Sequence, residues 1–340
     1  MKAAPLFLLL AGCYVTRQAA GQMEIVIGQE PVEPLIESDR VNADEARKLL
    51  VVLEARDFAE RAIGLSRSDN YTTFYDTRGR PVSYVVSACR KDRFENYTWS
   101  FPIAGSFAYK GFFSRSAALA EAKALEEQGY DTTLREVAAY STLGWFRDPV
   151  FSTMLRGTEA ALVSLIIHEL THGTVHADGF TDFNEEVATF VGNRGALAFL
   201  AARYGPRSRE VARAEAQFHD DALFDNFIRS LYDRLDALYA SDAASEEKLR
   251  RREELFTGAR AEFARLKSRF RTPAYFYFEK AKLNNAEIVA QRRYGGHDVY
   301  ERIFRRAGES WVTFLTWMRL AAAAPDPSAA IRLMAEGKLP

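Results

Sequence analysis

The stretch HELTH, residues 168–172, constrains this chain more than any other. On a helix, His168 and His172 stand at i and i+4, so both imidazoles leave one face and can share a metal ion. Glu169 lies beside them, able to take a proton from a water at that metal. The flanking ALVSLII is apolar and free of Pro, and Gly179 follows as a stop, so the sequence favours the helix that the chemistry needs. His is scarce, 5 in 340 residues, which makes a chance occurrence rare. The plain alternative is a core pair of histidines with a surface Glu.

A catalytic zinc site takes three protein ligands and leaves one position open. His176 extends the run to i+8, but about 12 Å of rise separates it from His168 on a straight helix, too far for one ion. It reads instead as a helix-end residue facing solvent or the C-terminal dipole. After ADGFTD a second helix starts near Asp182, carrying Glu185 and Glu186. In an antiparallel hairpin His172 and Glu185 differ in height by only ~3 Å, so Glu185 can complete the set. Glu186 points about 100° away around the helix. Asp182-x-x-Glu185 also fits a capping box, which needs no metal. Asn184, Thr189 and Asn193 fall near the same helix face and are candidates to support the ligand from behind.

These motifs carry a resemblance. HExxH followed by Asn-Glu on the next helix resembles the gluzincin class of zinc peptidases, and NEEVAT is similar to the NExxAT of its aminopeptidase branch, at a shorter interval from HExxH. Nearly the whole chain resembles a bacterial family of predicted lipoprotein aminopeptidases. The matching segments are LAGCYVTRQAAGQ (10–22), DTRGRPVSYVVSA (76–88), YSTLGWFRDPV (140–150), HELTH, FNEEVATFVG (183–192) and NNAEI (284–288). The resemblance implies a gluzincin-like α+β fold, predominantly helical, with Zn²⁺ on His168, His172 and Glu185. It also implies Glu169 as general base, a peptide substrate and aminopeptidase activity. A Tyr or His donor should stabilise the tetrahedral oxyanion. Tyr294, downstream of NNAEI, is the candidate, with His297 and Tyr140 competing. An aminopeptidase also needs a carboxylate for the substrate's α-ammonium; STLGWF has no Glu, and Asp148 or Glu186 would have to substitute.

The N-terminus reads as a signal. Lys2, the apolar LFLLLAG and the box LAGC at 10–13 mark residues 1–12 as a lipoprotein signal peptide and Cys13 as the acylated residue. Tyr14, rather than Asp, favours outer-membrane sorting in a Gram-negative host, facing the periplasm. Residues 13–40 then form a lipid-anchored tether containing Pro31 and Pro34. Cys89 remains as a lone thiol without a disulfide partner, best placed as a small buried residue in a strand.

Residues 41–150 read as a mixed α/β lobe. Asn42-x-x-Glu45 caps a helix running to about Gly64, and YTTFYDTRGRPVSYVVSA gives two strands joined at Thr77–Arg80. FPIAGSFAYKGFF reads as a loop, Ser114 caps a further helix, and TTLREVAAYS reads as a strand. STLGWF at 141–146 is a candidate edge strand for substrate backbone, with Gly144 and Trp145 at the contact. A buried connector with Trp145 and Phe146 in the core is the rival reading. Residues 151–340 read as a helical catalytic lobe with a long hairpin around SDAAS.

Net charge is −1 with no strongly basic block, which argues against nucleic acid as the main partner. Beyond the leader no apolar stretch approaches 18 residues, so the lipid anchor is the expected membrane contact. Two other functions keep the same residues: an envelope endopeptidase, or a scaffold lipoprotein with a vestigial metal site. Structural zinc usually has four protein ligands with Cys among them, and the open three-ligand pattern disfavours the scaffold.

Overall fold

The computed structural model describes residues 16, 18–101, 105–138, 147–292 and 297–338. Cys13, Tyr140, Gly144, Trp145, Phe146 and Tyr294 lie outside the described residues. In chain order the first elements are β1 (Glu30–Pro31), α1 (Val32–Ile36), α2 (Ala43–Phe58), β2 (Thr73–Tyr75) and β3 (Ser83–Arg90). Then come β4 (Trp99–Phe101), β5 (Gly105–Phe107), β6 (Tyr109–Phe112), α3 (Arg115–Glu127), β7 (Tyr130–Val137) and β8 (Val150–Phe151). The remainder is helical: α4 (Glu159–His172), α5 (Thr181–Tyr204), α6 (Arg209–Ala240), α7 (Ser245–Leu266) and α8 (Asn285–Gln291). It closes with α9 (His297–Arg306), α10 (Trp311–Ala322) and α11 (Pro327–Glu336). The class is α+β and predominantly helical. Among the described residues no helix is long and apolar enough to cross a membrane.

The chain divides into two compact units that alternate along the sequence. One comprises Met1–Gln29, Asp76–Ala139 and Leu223–Arg293; the other comprises Glu30–Tyr75, Tyr140–Ala222 and Tyr294–Pro340. The change to helical composition near residue 150 is therefore not a boundary of packing, since each unit draws on both sides of it.

In the first unit β3 is the centre of an antiparallel sheet, order β6-β3-β7, in register from Ser83↔Val137 to Arg90↔Tyr130. Val86, Ala88 and Phe112 of the sheet pack with Ala118, Ala122 and Leu125 of α3, whose N-cap is Ser114 as expected. The second half of α6 and α7 form the hairpin around SDAAS and bury Phe224, Phe227, Phe263 and Phe278 together. Cys89 is fully buried, and burial pushes its thiol up to about 12, which leaves it protonated and inert.

One expectation holds and one changes. The turn at Thr77–Arg80 forms, closed by the Arg80 amide on the Thr77 carbonyl at 3.1 Å. The strands it joins do not pair: β2 lies between β1 and β8, while β3 pairs with β6 and β7. The aromatic segment read as a loop supplies β5 and β6. Its alternation is too short to register as a strand period, and cross-strand pairing decides its conformation.

In the second unit α4 and α5 are an antiparallel pair packed with α2. The capping box of α2 forms as read, with Asn42 Oδ1 accepting from the Glu45 amide and Glu45 Oε2 accepting from the Asn42 amide, both at 3.0 Å. The segment read as a tether is largely ordered. Residues 18–27 are helical, β1 pairs with β2, and Val32 and Leu35 of α1 are buried. Burial of these two side chains outweighs the turn-forming prolines, which occupy positions a helix start tolerates.

Candidate metal centre

Helix α4 begins at the N-cap Thr158, whose hydroxyl accepts from the Ala161 amide at 3.1 Å. Leu162, Val163, Ile166, Ile167 and Leu170 bury its apolar face, so His168, Glu169 and His172 are left on the rest of its circumference. The helix ends at His172, earlier than the expected stop: the amides of Thr174 and Val175 turn back to the Thr171 carbonyl. Gly179 instead takes φ +80° within the connector. His176 is off the helix, exposed, and pairs with Asp178 at 3.3 Å.

The connector delivers Glu185 to the two histidines. His168 Nε2 and His172 Nε2 are 3.2 Å apart. One oxygen of Glu185 lies 3.4 Å from His168 Nε2 and the other lies 3.5 Å from His172 Nε2. Ligands at about 2.0–2.1 Å from a tetrahedral zinc stand about 3.4 Å apart; the nitrogen–nitrogen separation and each histidine's distance to its own Glu185 oxygen are of this size, and one donor atom from each residue lies within 4.8 Å of the others. Among the described residues this is the group of His, Cys, Asp and Glu whose atoms converge closely enough to hold an ion. The Asp182–Glu185 capping box does not form: Phe180 is the N-cap of α5, and no side chain caps the helix.

Electrostatics suit the arrangement. Burial, aided by the neighbouring His168, pulls His172 down to about 4, so at neutral pH its ring nitrogen has a free lone pair. Burial acts to raise Glu185, but its contact with His168 and the charge of both imidazoles outweigh that, and it ionises more readily than usual. Glu169 goes the other way. Burial raises it, His168 opposes, and the charges of Glu185 and Asp148 add to the rise. A carboxyl group tuned towards neutrality beside a metal site is suited to carry a proton.

The polar residues on α5 serve the scaffold. Asn184 uses both ends of its amide on Ala177, accepting from its N–H at 2.8 Å and donating to its carbonyl at 2.9 Å. It pins the connector rather than a ligand, because it sits about 100° around the helix from Glu185. Asn193 accepts from the Ser164 hydroxyl at 2.7 Å and ties α5 to α4 one turn before His168. Thr189 lies one turn beyond Glu185 and is half-buried. Glu186 accepts from the Tyr300 hydroxyl at 3.2 Å, and Asp148 is only 1% exposed.

Gly192, which sequence reading passed over, sets the approach of the helices. A Cβ there would meet the Ser164 carbonyl at 2.7 Å and His168 Cβ at 3.1 Å. Gly192 is two turns beyond Glu185, on the same face, so the close contact brings the carboxylate to the histidines. In an exposed helix Gly→Ala gains about 1 kcal/mol. Here overpacking against rigid backbone costs about 1–3 kcal/mol and wins. Gly192→Ala is expected to lower the melting temperature and to weaken zinc binding about tenfold or more, checked by thermal melts and competition with a zinc chelator. An unchanged melting temperature and zinc affinity would show that this contact does not hold the site.

A second group missed in sequence lies in the loop before β2. Tyr71 is 3% exposed and has φ +61°. Its amide donates to the Asp148 carbonyl at 2.7 Å, and the Asp148 amide returns to Asn70 Oδ1 at 3.1 Å. Burial holds the Tyr71 phenol well above the usual range, with the charges of Glu169 and Asp148 reinforcing it. No periodicity or spacing signals a tyrosine in this conformation.

The segment NNAEI does its work in the other unit. Asn284 caps α8, accepting from the Glu287 amide at 2.7 Å, and donates to the Thr132 carbonyl at 2.9 Å. Asn285 is fully buried; it accepts from the Tyr239 hydroxyl at 2.7 Å and donates to the Arg90 carbonyl at 2.8 Å. These bonds fasten α8 to the sheet. Of the oxyanion candidates, His297 opens α9, and Tyr294 and Tyr140 lie outside the described residues.

No curated protein and no solved structure matches the chain. A family model does, and over almost its full length. Because the model described as "Putative aminopeptidase" matches residues 13–333, the chain belongs to that family.

Proposed function

We propose that the chain is a zinc-dependent peptidase that removes residues from the N-termini of peptides. The observation that carries the metal part is the convergence of His168, His172 and Glu185, whose donor atoms lie within 4.8 Å of one another. Family membership supports the aminopeptidase part. When bound by these residues, zinc supplies a Lewis acid and lowers the pKa of a water towards neutrality.

The chain's own groups do the rest. Neutral His172 and ionised Glu185 present lone pairs, and α4 and α5 hold them in register. Glu169 takes the proton of the attacking water and delivers it to the departing amine. Its partial burial favours the protonated form and suits it to hold that proton between the two steps. The LAGC box supports a place for the enzyme at the bacterial envelope, held through a lipid on Cys13.

Metal analysis tests the reading. Protein comprising residues 14–340 is expected to carry about one zinc per chain, and a Glu185→Gln variant to lose most of it while remaining folded. Zinc retained in full by the variant would remove Glu185 from the site. No zinc in either protein would favour a non-catalytic scaffold.

A further inference from the structure

The helix at residues 18–27 is apolar on both of its faces. Its inner face seats on the first unit. Ile25 is buried, and a Cβ at Gly21, one turn earlier, would fall 2.3 Å from the Phe113 ring. So close an approach leaves no slack between the helix and the end of β6. The outer face carries Ala20, Met23 and Ile27 at i, i+3 and i+7, with Met23 54% and Ile27 76% exposed. Glu24 is the one charged residue in the sequence from Gln18 to Ile27. A helix that is apolar all round belongs inside a protein or against lipid, yet this one leaves its outer face open.

The apolar surface continues on β6. Phe112 of this strand joins the core under α3. By alternation Tyr109 and the following Phe113 leave the opposite face, which is the face that carries the helix. Tyr109 and Phe113 are about 13 Å apart along the strand. The exposed ring of Tyr109 meets the exposed ring of Phe107 at 6.0 Å. Single exposed apolar side chains are ordinary, but a helix face beside an aromatic pair marks a surface that takes a partner. A tyrosine, with an apolar ring and a polar tip, suits the boundary between lipid and water.

We propose that the outer face of helix 18–27, together with Phe107 and Tyr109, rests in the headgroup region of the lipid surface that anchors the chain. The proposal rests on the lipid-anchor reading of Cys13 above and is independent of the peptidase reading. Chain length favours lipid over a second protein as the occupant. Five residue steps separate Cys13 from Gln18 and span at most about 18 Å. Because Gly21 and Ile25 dock the helix, an acyl group on Cys13 holds the first unit within that reach of the bilayer. A lipid at one residue still leaves the protein free to swivel. Insertion of Met23 and Ile27 would fix its orientation.

The test couples the chain to lipid chemically, so it does not depend on acylation in the cell. Protein of residues 13–340 is joined through Cys13 to maleimide-bearing phosphatidylethanolamine in vesicles of phosphatidylcholine and phosphatidylglycerol. Cys89 is buried and protonated, so it does not compete. A diazirine dissolved in the bilayer is photolysed, and labelled residues are read by peptide mass. Met23, Ile27 and Tyr109 are expected to take about tenfold more label than Leu119 and Tyr277, which are exposed on the same unit. Ile27→Glu should cut the label at Met23 and Tyr109 about tenfold and leave the thermal melt unchanged. Equal labelling of all five positions, or none at Met23 and Ile27 on vesicles that hold the chain, would overturn the proposal. So would a dimer of the uncoupled protein that Ile27→Glu dissociates in light scattering, which would assign the face to a second copy. Intact mass of the chain from cell membranes tests the anchor separately. A Cys13 without acyl groups would overturn the anchor reading, and this proposal with it, even where the coupled protein is labelled as expected.

Discussion

Glu169→Gln is expected to lower kcat by at least about 10²–10⁴-fold while leaving zinc content at the wild-type level. The substitution is isosteric and deletes only the ability to accept a proton. Glu169 is not among the converging donors, so the ion keeps its ligands. The variant should lose no stability either. Because burial raises the folded pKa of Glu169, the ionised form is disfavoured in the native state. Its contribution is fully present below the unfolded pKa and is lost as pH rises through the folded value. In metal-free protein at neutral pH, a neutral Gln should therefore leave the melting temperature equal or higher. A rise in stability with a collapse in turnover is the signature of a group kept for chemistry. Rates on aminoacyl nitroanilides and on internally quenched peptides, together with metal analysis and thermal melts, test this. Wild-type turnover in the variant would sink Glu169 as the base. Cleavage of quenched peptides with blocked N-termini would make the enzyme an endopeptidase.

Asp131→Ala is the largest expected loss of stability, about 3–5 kcal/mol by urea unfolding. Asp131 and Arg252 face each other at 2.8 Å, with side chains 9% and 10% exposed. The same carboxylate oxygen accepts from the Asn285 amide at 2.9 Å. Deleting it orphans both donors in a place that water does not reach. Arg252 keeps the Lys91 carbonyl at 2.9 Å and the Glu253 carboxylate at 2.8 Å, which places the effect towards the lower end. Adding Arg252→Met should recover much of the loss, since an apolar pair avoids the stranded charge. A single-variant loss under about 1 kcal/mol would show that the network is dispensable, because ordinary surface pairs contribute that much.

Local geometry makes the candidate metal centre readable. Two histidines at i and i+4 and a glutamate on the next helix are related by rise and rotation alone, so the grouping of His168, His172 and Glu185 is legible without knowledge of packing. The caps at Asn42 and Ser114 were legible for the same reason. What escaped depends on distant partners. The strands on either side of Thr77–Arg80 join different sheets because their hydrogen-bonding partners lie far along the chain. Gly192 is a weak helix former until the neighbouring carbonyl is in view. Asn284 and Asn285 gave no hint that they clasp a sheet more than 150 positions upstream. Tyr71 is one of 15 tyrosines, and its backbone angle has no signature in composition.

The three converging donors all fall within residues 168–185, on one helix pair and the turn between them. Closing so short a loop costs little chain entropy, and contacts this near in sequence form early in folding. On the zinc reading proposed above, metallation would keep pace with formation of the hairpin instead of waiting for the finished fold. An ion captured at that stage would act as a nucleus for the second unit, so zinc supply during biogenesis would set folding yield as well as activity.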